Sequence, residues 1–219
     1  MKYQAIVSGA IAIAPMLAIA EVIDFEAMEP NAPPRTWTLT MTDGGQPPRW
    51  QILDDATSPA KPKVLAQLSE DRASGRFPLA IYPGEVIRNG YIEVRFKPVS
   101  GRVDQAAGLV WRYRDENNYY IVRANALEDN VVLYKVENGK RTDLPVKGEG
   151  RTYGKKAEVP AGQWSTLRVV ANGRLFEVSF NGNKLYDVED ATFSQSGKVG
   201  VWTKADSVTQ FDDLTVVTK

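Results

Sequence analysis

Between Gly108 and Asn125 the sequence reads GLVWRYRDENNYYIVRAN, two runs rich in arginine and aromatic residues on either side of Asp115, Glu116, Asn117 and Asn118. Guanidinium and amide groups are planar, directional hydrogen-bonding groups, and aromatic faces stack on the C–H side of a pyranose, so this combination suits sugar recognition. If Asp115 to Asn118 forms a four-residue turn, Arg114 falls opposite Tyr119, Arg112 opposite Ile121 and Val110 opposite Arg123. Alternation then places Val110, Arg112, Arg114, Tyr119, Ile121, Arg123 and Asn125 on one face, and Leu109, Trp111, Tyr113, Tyr120, Val122 and Ala124 on the core side. A second four-residue turn over Leu127 to Asn130 brings Tyr134 opposite Arg123. In KVGVWTKAD, Val199, Val201 and Thr203 suit the core and leave Trp202 and Lys204 on the other side. The expected ligand surface is Arg112, Arg123, Asn125, Tyr134, Trp202 and Lys204. The competing reading is a solvated polar face on which arginine stacks on tyrosine without a ligand.

Composition narrows the chemistry. The chain has no histidine and no cysteine, so a Ser-His-Asp triad, a Cys-His dyad, imidazole or thiolate metal ligands and disulfides are all excluded. Lysine plus arginine (27) equals aspartate plus glutamate (27), so no overall basic field exists to hold nucleic acid or an anionic membrane. The paired acids Glu70-Asp71, Asp115-Glu116, Glu128-Asp129 and Glu189-Asp190 read as solvated loop charges, because adjacent strand residues face opposite ways.

These residues must be carried by strands. YIEVRFKPV, NVVLYKVENG, STLRVVANGRLFEVSFNG and KVGVWT alternate or cluster β-branched and aromatic residues over short runs, and no amphipathic helix of useful length appears. Asn-Gly pairs at 89–90, 138–139, 172–173 and 181–182 supply the positive φ angles of tight hairpin turns. The spacing predicts an all-β protein, an antiparallel sandwich of jelly-roll type. The proline-rich segment from Glu29 to Pro62 is expected to hold long loops and edge strands. At the start, Lys2, the apolar stretch from Ala5 to Ala14 and Ala18-Ile19-Ala20 read as a signal peptide over residues 1–20 cleaved before Glu21, followed by one domain over 21–219 in the periplasm or outside the cell. The apolar run is too short and interrupted for a transmembrane anchor.

The strings AAGLVWRYRDENNYYIVRANALEDNVVLYKVENGKRTDL, PAGQWSTLRVVANGRLFEVSFNGNKLYDVEDATF and GKVGVWTKADSVTQFDDLTV resemble the concanavalin A-like, laminin-G-like jelly-roll domains of bacterial secreted proteins. More narrowly, they resemble the 3-keto-disaccharide hydrolase-like family. The resemblance implies two curved antiparallel sheets, a concave face where relatives handle carbohydrate, Trp164 as a core residue, and first and last strands running side by side. Those two strands carry Asp24, Glu26, Asp212 and Asp213, whose hard oxygens could hold a structural calcium ion. Retaining glucanases of this fold use a Glu-x-Asp-x-x-Glu strand motif to set two carboxylates on one face. No Glu-x-Asp occurs in this chain. The expectation is therefore a secreted carbohydrate-binding sandwich. The alternatives are a hydrolase or lyase of 3-keto-glycosides, with Lys204, Asp206 or a metal-bound water as base, and a structural or interaction domain without a small ligand.

Overall fold

The computed structural model describes residues 19–219. The signal-peptide reading falls almost wholly outside them. The strands are β1 (Ile19–Ile23), β2 (Thr38–Thr42), β3 (Trp50–Asp54), β4 (Lys63–Gln67), β5 (Phe77–Ile87), β6 (Gly90–Ser100), β7 (Ala106–Asp115) and β8 (Asn118–Asn125). They continue with β9 (Asn130–Glu137), β10 (Lys140–Asp143), β11 (Lys155–Lys156), β12 (Ser165–Asn172), β13 (Leu175–Phe180), β14 (Asn183–Glu189), β15 (Gly197–Trp202) and β16 (Val208–Thr218). No helix occurs among the described residues, so none there could cross a membrane.

The strands form two antiparallel sheets. Sheet A runs β14-β13-β12-β6-β16-β4-β3 with β1 also on β16, and sheet B runs β10-β9-β8-β7-β15-β5-β2 with β11 on β9. As the family resemblance implies, β1 lies antiparallel to β16, Ile19 opposite Thr218 through Ile23 opposite Leu214. The proline-rich segment supplies one edge strand of each sheet, β2 to sheet B and β3 to sheet A. At 138–139 and 181–182 both residues of the Asn-Gly pair take positive φ, the backbone that two-residue hairpins demand.

The two sheets bury their residues differently. In sheet A, β6 and β12 alternate buried and half-buried positions, the pattern of one face on a core and one toward water. In sheet B, β7, β8 and β9 are buried at nearly every position. The core between the sheets holds Leu109, Trp111, Tyr120, Val122 and Leu133 from sheet B against Val94, Phe96, Val169, Phe176 and Val178 from sheet A. Trp111 packs edge-on against Phe176 at 5.3 Å and stacks on Tyr120 at 5.4 Å. A second apolar cluster covers the other face of sheet B: Phe77, Leu79, Ile81, Val110, Tyr113, Tyr119, Ile121, Val132, Tyr134 and Trp202 among others.

That second cluster exists because sheet B curls on itself. Arg141 lies on edge strand β10, yet its guanidinium sits 4.6 Å from the ring of Phe77 on β5 and 5.7 Å from that of Trp202 on β15. In a flat sheet, five strand spacings of about 4.8 Å would separate β10 from β5, roughly 24 Å, beyond the reach of any side chain. Likewise Thr42 on the opposite edge strand shares a 2.7 Å hydrogen bond with the Tyr119 hydroxyl of β8. The inner face expected to be a polar and aromatic ligand surface is thus mostly filled by rings and aliphatic groups. Trp164, expected in the core, is only half-buried and lies under the Lys97 ammonium at 5.3 Å.

Candidate functional site

The first hairpin follows the expected register only at its tip. Asp115 pairs with Asn118, but further in Trp111 pairs with Tyr120, Val110 with Ile121 and Gly108 with Arg123. Between these, β7 spends Arg112, Tyr113 and Arg114 against Tyr119 alone, a bulge in which Arg112 takes φ 49°. Left-handed backbone is unfavourable for a side chain other than glycine, asparagine or aspartate. Close approach by Gly197 accommodates it, since a Cβ there would lie 2.5 Å from the Arg112 carbonyl carbon. The bulge exchanges the faces it spans. Tyr113 joins Tyr119 on the inner face with ring centroids 6.0 Å apart, and Arg112 turns to the opposite side, over Phe176 at 5.1 Å. The expectation that Arg112 is an exposed member of the inner-face ligand surface is therefore corrected: it is 1 % exposed and lies elsewhere.

The second turn is also displaced. Asn125 pairs with Asn130, leaving residues 126–129 as the loop, so Tyr134 faces Ile121 and Val132 faces Arg123. A two-residue change of partner preserves the face, which is why Arg123, Asn125 and Tyr134 still share the inner side. The Asn125 side-chain oxygen accepts the Leu127 N–H at 2.9 Å and fixes this turn.

At that end of the curl the polar side chains converge. The Arg123 guanidinium is fully buried and forks onto the Glu128 carboxylate at 2.8 and 3.1 Å, while Nη2 also donates to Asn130 Oδ1 at 2.6 Å. Asn125 donates to Glu128 at 3.1 Å and to Asp104. Asp104 in turn holds the Lys204 ammonium. Tyr134 donates its hydroxyl to that of Tyr153 at 2.6 Å, and both rings lie within 5.8 Å of the Arg123 guanidinium. Asp104 is positioned by Asp206, whose carboxylate accepts the N–H groups of Arg102, Val103 and Asp104 at 2.8 to 3.1 Å. Asp206 is thus engaged in holding a loop. Trp202 lies on the same face in line with Gly108 and Arg123, but it is wholly buried and stacked on Phe77 at 5.4 Å. Gly108 permits this closeness, because a Cβ there would meet the Trp202 ring at 3.2 Å and Ile121 at 2.3 Å.

Four of the six expected ligand residues, Arg123, Asn125, Tyr134 and Lys204, therefore converge. Trp202 lies on the same face two strands from Arg123, and Arg112 lies apart. Asp104, Glu128, Asn130 and Tyr153 complete the group. Glu128 was read from the sequence as a solvated loop charge, and the one available signal was its position within a short turn from Arg123. The mouth is formed by Tyr153, half exposed, with parts of Glu128 and Lys204.

Charge in this group is unequally distributed. Burial pushes the Glu128 carboxyl up, but the Arg123 fork, the Asn130 amide and the nearby Lys204 outweigh it and hold the group at about 2. For Asp104 burial dominates and raises its pKa above the ordinary carboxylate value despite Lys204 and Arg123. The site thus contains a firmly ionised acid in an arginine fork and a buried acid that takes up a proton more readily.

The acids expected to hold calcium each have a protein partner. Asp24 pairs with Lys61 at 2.8 Å, Glu26 accepts the Lys63 N–H at 2.8 Å, Asp213 pairs with Arg95 at 3.1 Å and Asp212 accepts the Ser58 hydroxyl. No group of three or more metal-ligating side chains forms among the described residues.

A curled two-sheet jelly roll with a polar cluster at the mouth of one sheet defines the class. The chain belongs to the family described as the 3-keto-alpha-glucoside-1,2-lyase-like domain, whose profile matches residues 37–217. No curated protein matches it significantly in sequence. Among solved structures it is similar to the carbohydrate binding module CBM66 from Bacillus subtilis, with 19% identity, 82% of this chain and 93% of that chain covered, and a TM-score of 0.58. It is also similar to the cellulose induced protein Cip1, with 12% identity, 91% and 96% covered, and a TM-score of 0.57.

Proposed function

We propose that this protein binds a carbohydrate at the mouth of sheet B. The observation that carries the reading is the junction of Arg123, Asn125, Glu128, Asn130, Asp104 and Lys204 beside the Tyr134 and Tyr153 rings. A sugar hydroxyl needs paired donors and acceptors, and its ring needs a flat apolar surface. The mouth offers the Glu128 carboxylate and Lys204 ammonium next to the exposed Tyr153 ring. Likeness to a carbohydrate binding module and the family's description support a sugar ligand. The reading includes export to the periplasm or exterior, motivated by the sequence of residues 1–20. Titration calorimetry of residues 21–219 with neutral glycans and with 3-keto-glucosides tests it, and should show saturable binding that Tyr153→Ala and Glu128→Gln weaken at least tenfold. Binding unchanged by both substitutions would overturn the location.

A second reading is favoured by Asp104. In a 3-keto-glycoside the ketone acidifies the C2–H bond. A base takes that proton, the electron pair forms the C1–C2 double bond, and the C1 substituent leaves with its bonding electrons. Asp104, raised by burial and in contact with Lys204, is a carboxylate in the environment such a base requires, and Lys204 can protonate the leaving oxygen. Mass spectrometry of 3-keto-glucosides incubated with the protein separates the readings: an unsaturated product absent with Asp104→Asn supports lyase chemistry, and saturable binding without turnover supports the binding module.

A further inference from the structure

The bulge that removes Arg112 from the sugar-binding face places it at a second opening. Its Nη1 donates to Phe193 O at 2.7 Å and its Nη2 to Arg88 O at 2.7 Å and Gly173 O at 2.5 Å, while Nε is buried without a partner. No carboxylate forms an ion pair with it among the described residues, although Arg123 on the same hairpin has Glu128 in a two-pronged fork. A buried guanidinium held only by carbonyl dipoles retains its whole positive charge. Next to it is a cleft of about 420 Å³ lined by Arg88, Arg112, Arg174, Asn172, Gly173 and Ser194, with Ala191 completing the wall. Three arginines from β7 and two separate turns thus surround one opening, and no acidic side chain lines it. Glu189, 3.8 Å from Arg174, and Asp190 line the adjoining depression.

We propose that this cleft is an anion site that takes a small oxyanion, either a free ion such as sulfate or phosphate or the carboxylate or sulfate of an acidic sugar. Arginine matches such groups because its planar fork delivers two parallel N–H donors to two oxygens. Arg88 and Arg174 are exposed, Arg174 with Glu189 beside it at 3.8 Å, whereas Arg112 provides a fixed charge at the base. The local charge stands out because the net charge of the chain is zero. The site is separate from the mouth of sheet B, since Arg112 turns to the face of β7 opposite Arg123, so it stands or falls independently of the carbohydrate reading.

Heteronuclear NMR of the full described chain, titrated at constant ionic strength with sulfate, phosphate, glucuronate and, as control, glucose, tests the site. The amides of residues 172–174 and 191–194 should shift saturably with at least one of the anions and not with glucose. A response to sulfate and phosphate alone identifies a free tetrahedral ion, and a response to glucuronate identifies an acidic sugar; both uphold the site. The variant Arg88→Ala/Arg174→Ala changes only exposed side chains, so it should keep its fold, and loss of the two charged hydrogen-bonding groups should weaken binding at least about tenfold. Absence of any saturable shift, or shifts of equal affinity in the double variant, would overturn the proposal.

Discussion

Two arginines eleven residues apart on one hairpin are both buried, and by opposite means. Arg123 lies among side chains that match its charge: a carboxylate fork from Glu128, an amide from Asn130, and Asp104 at 4.0 Å. Arg112 lies among backbone, with three carbonyls accepting its hydrogen bonds and no acid in an ion pair with it. The first arrangement joins a network in which every member depends on another and which opens at a tyrosine-lined mouth. The second ties three chain segments together, the turn before β6, the β12–β13 turn and the stretch before β15, and leaves residual charge beside a cleft. Residue type alone does not separate a ligand-facing arginine from a bracing one. The groups that share its charge do.

The largest effect is expected at Arg123. Arg123→Ala leaves the Glu128 carboxylate and the buried Asn130 amide without the guanidinium that holds them, and breaking one side of a buried ion pair costs about 3 to 5 kcal/mol. Urea unfolding should show this as a large drop in midpoint, and an equal drop for Arg123→Lys would mean that the fork geometry matters more than the charge. Arg112→Ala frees three carbonyls, but water can enter from the adjoining cleft, so a smaller cost of about 1 to 3 kcal/mol follows. Truncating an arginine exposed on a sheet face, as the sequence reading places Arg112, would cost less than about 0.5 kcal/mol. If Arg112→Ala proves more costly than Arg123→Ala, the contrast between the two regions fails.

Acid titration sharpens the same comparison. The Glu128 pKa is lowered in the folded state to about 2, so its contribution is full above its unfolded value and is lost as pH falls toward 2. Asp212 is the opposite case: burial pushes its carboxyl up to about 6, with Ser58 opposing. Its ionisation disfavours the folded state, so stability falls as pH rises from about 4 to about 6 and is level above that. Together these two groups should make melting temperature decline on both sides of a maximum near about pH 4 to 5. Glu128→Gln should flatten the acid limb and Asp212→Asn the upper one, measured by calorimetry. The smallest stability effect is expected for Tyr153→Ala, half exposed at the mouth, at below about 0.5 kcal/mol. Its consequence should appear in glycan affinity.

The sequence by itself determined much of this protein. Period-two patterning and Asn-Gly turns specified an all-β sandwich, because alternation and positive φ are local requirements. They also separated Leu109, Trp111, Tyr120 and Val122, on the core side, from Val110, Tyr119, Ile121 and Arg123, on the other. Three things were decided only by tertiary structure. The bulge at Arg112 depends on Gly197 of a strand eighty-five residues away, so no local spacing announces it. The closure of sheet B, which turns a polar face into a second core under Arg141, arises from accumulated twist across strands far apart in the chain. The charge partners follow from that closure. Asp104 meets Lys204 a hundred residues on, and only the folded chain brings Asp104, Arg123, Asn125 and Lys204 to one mouth while leaving Arg112 at another.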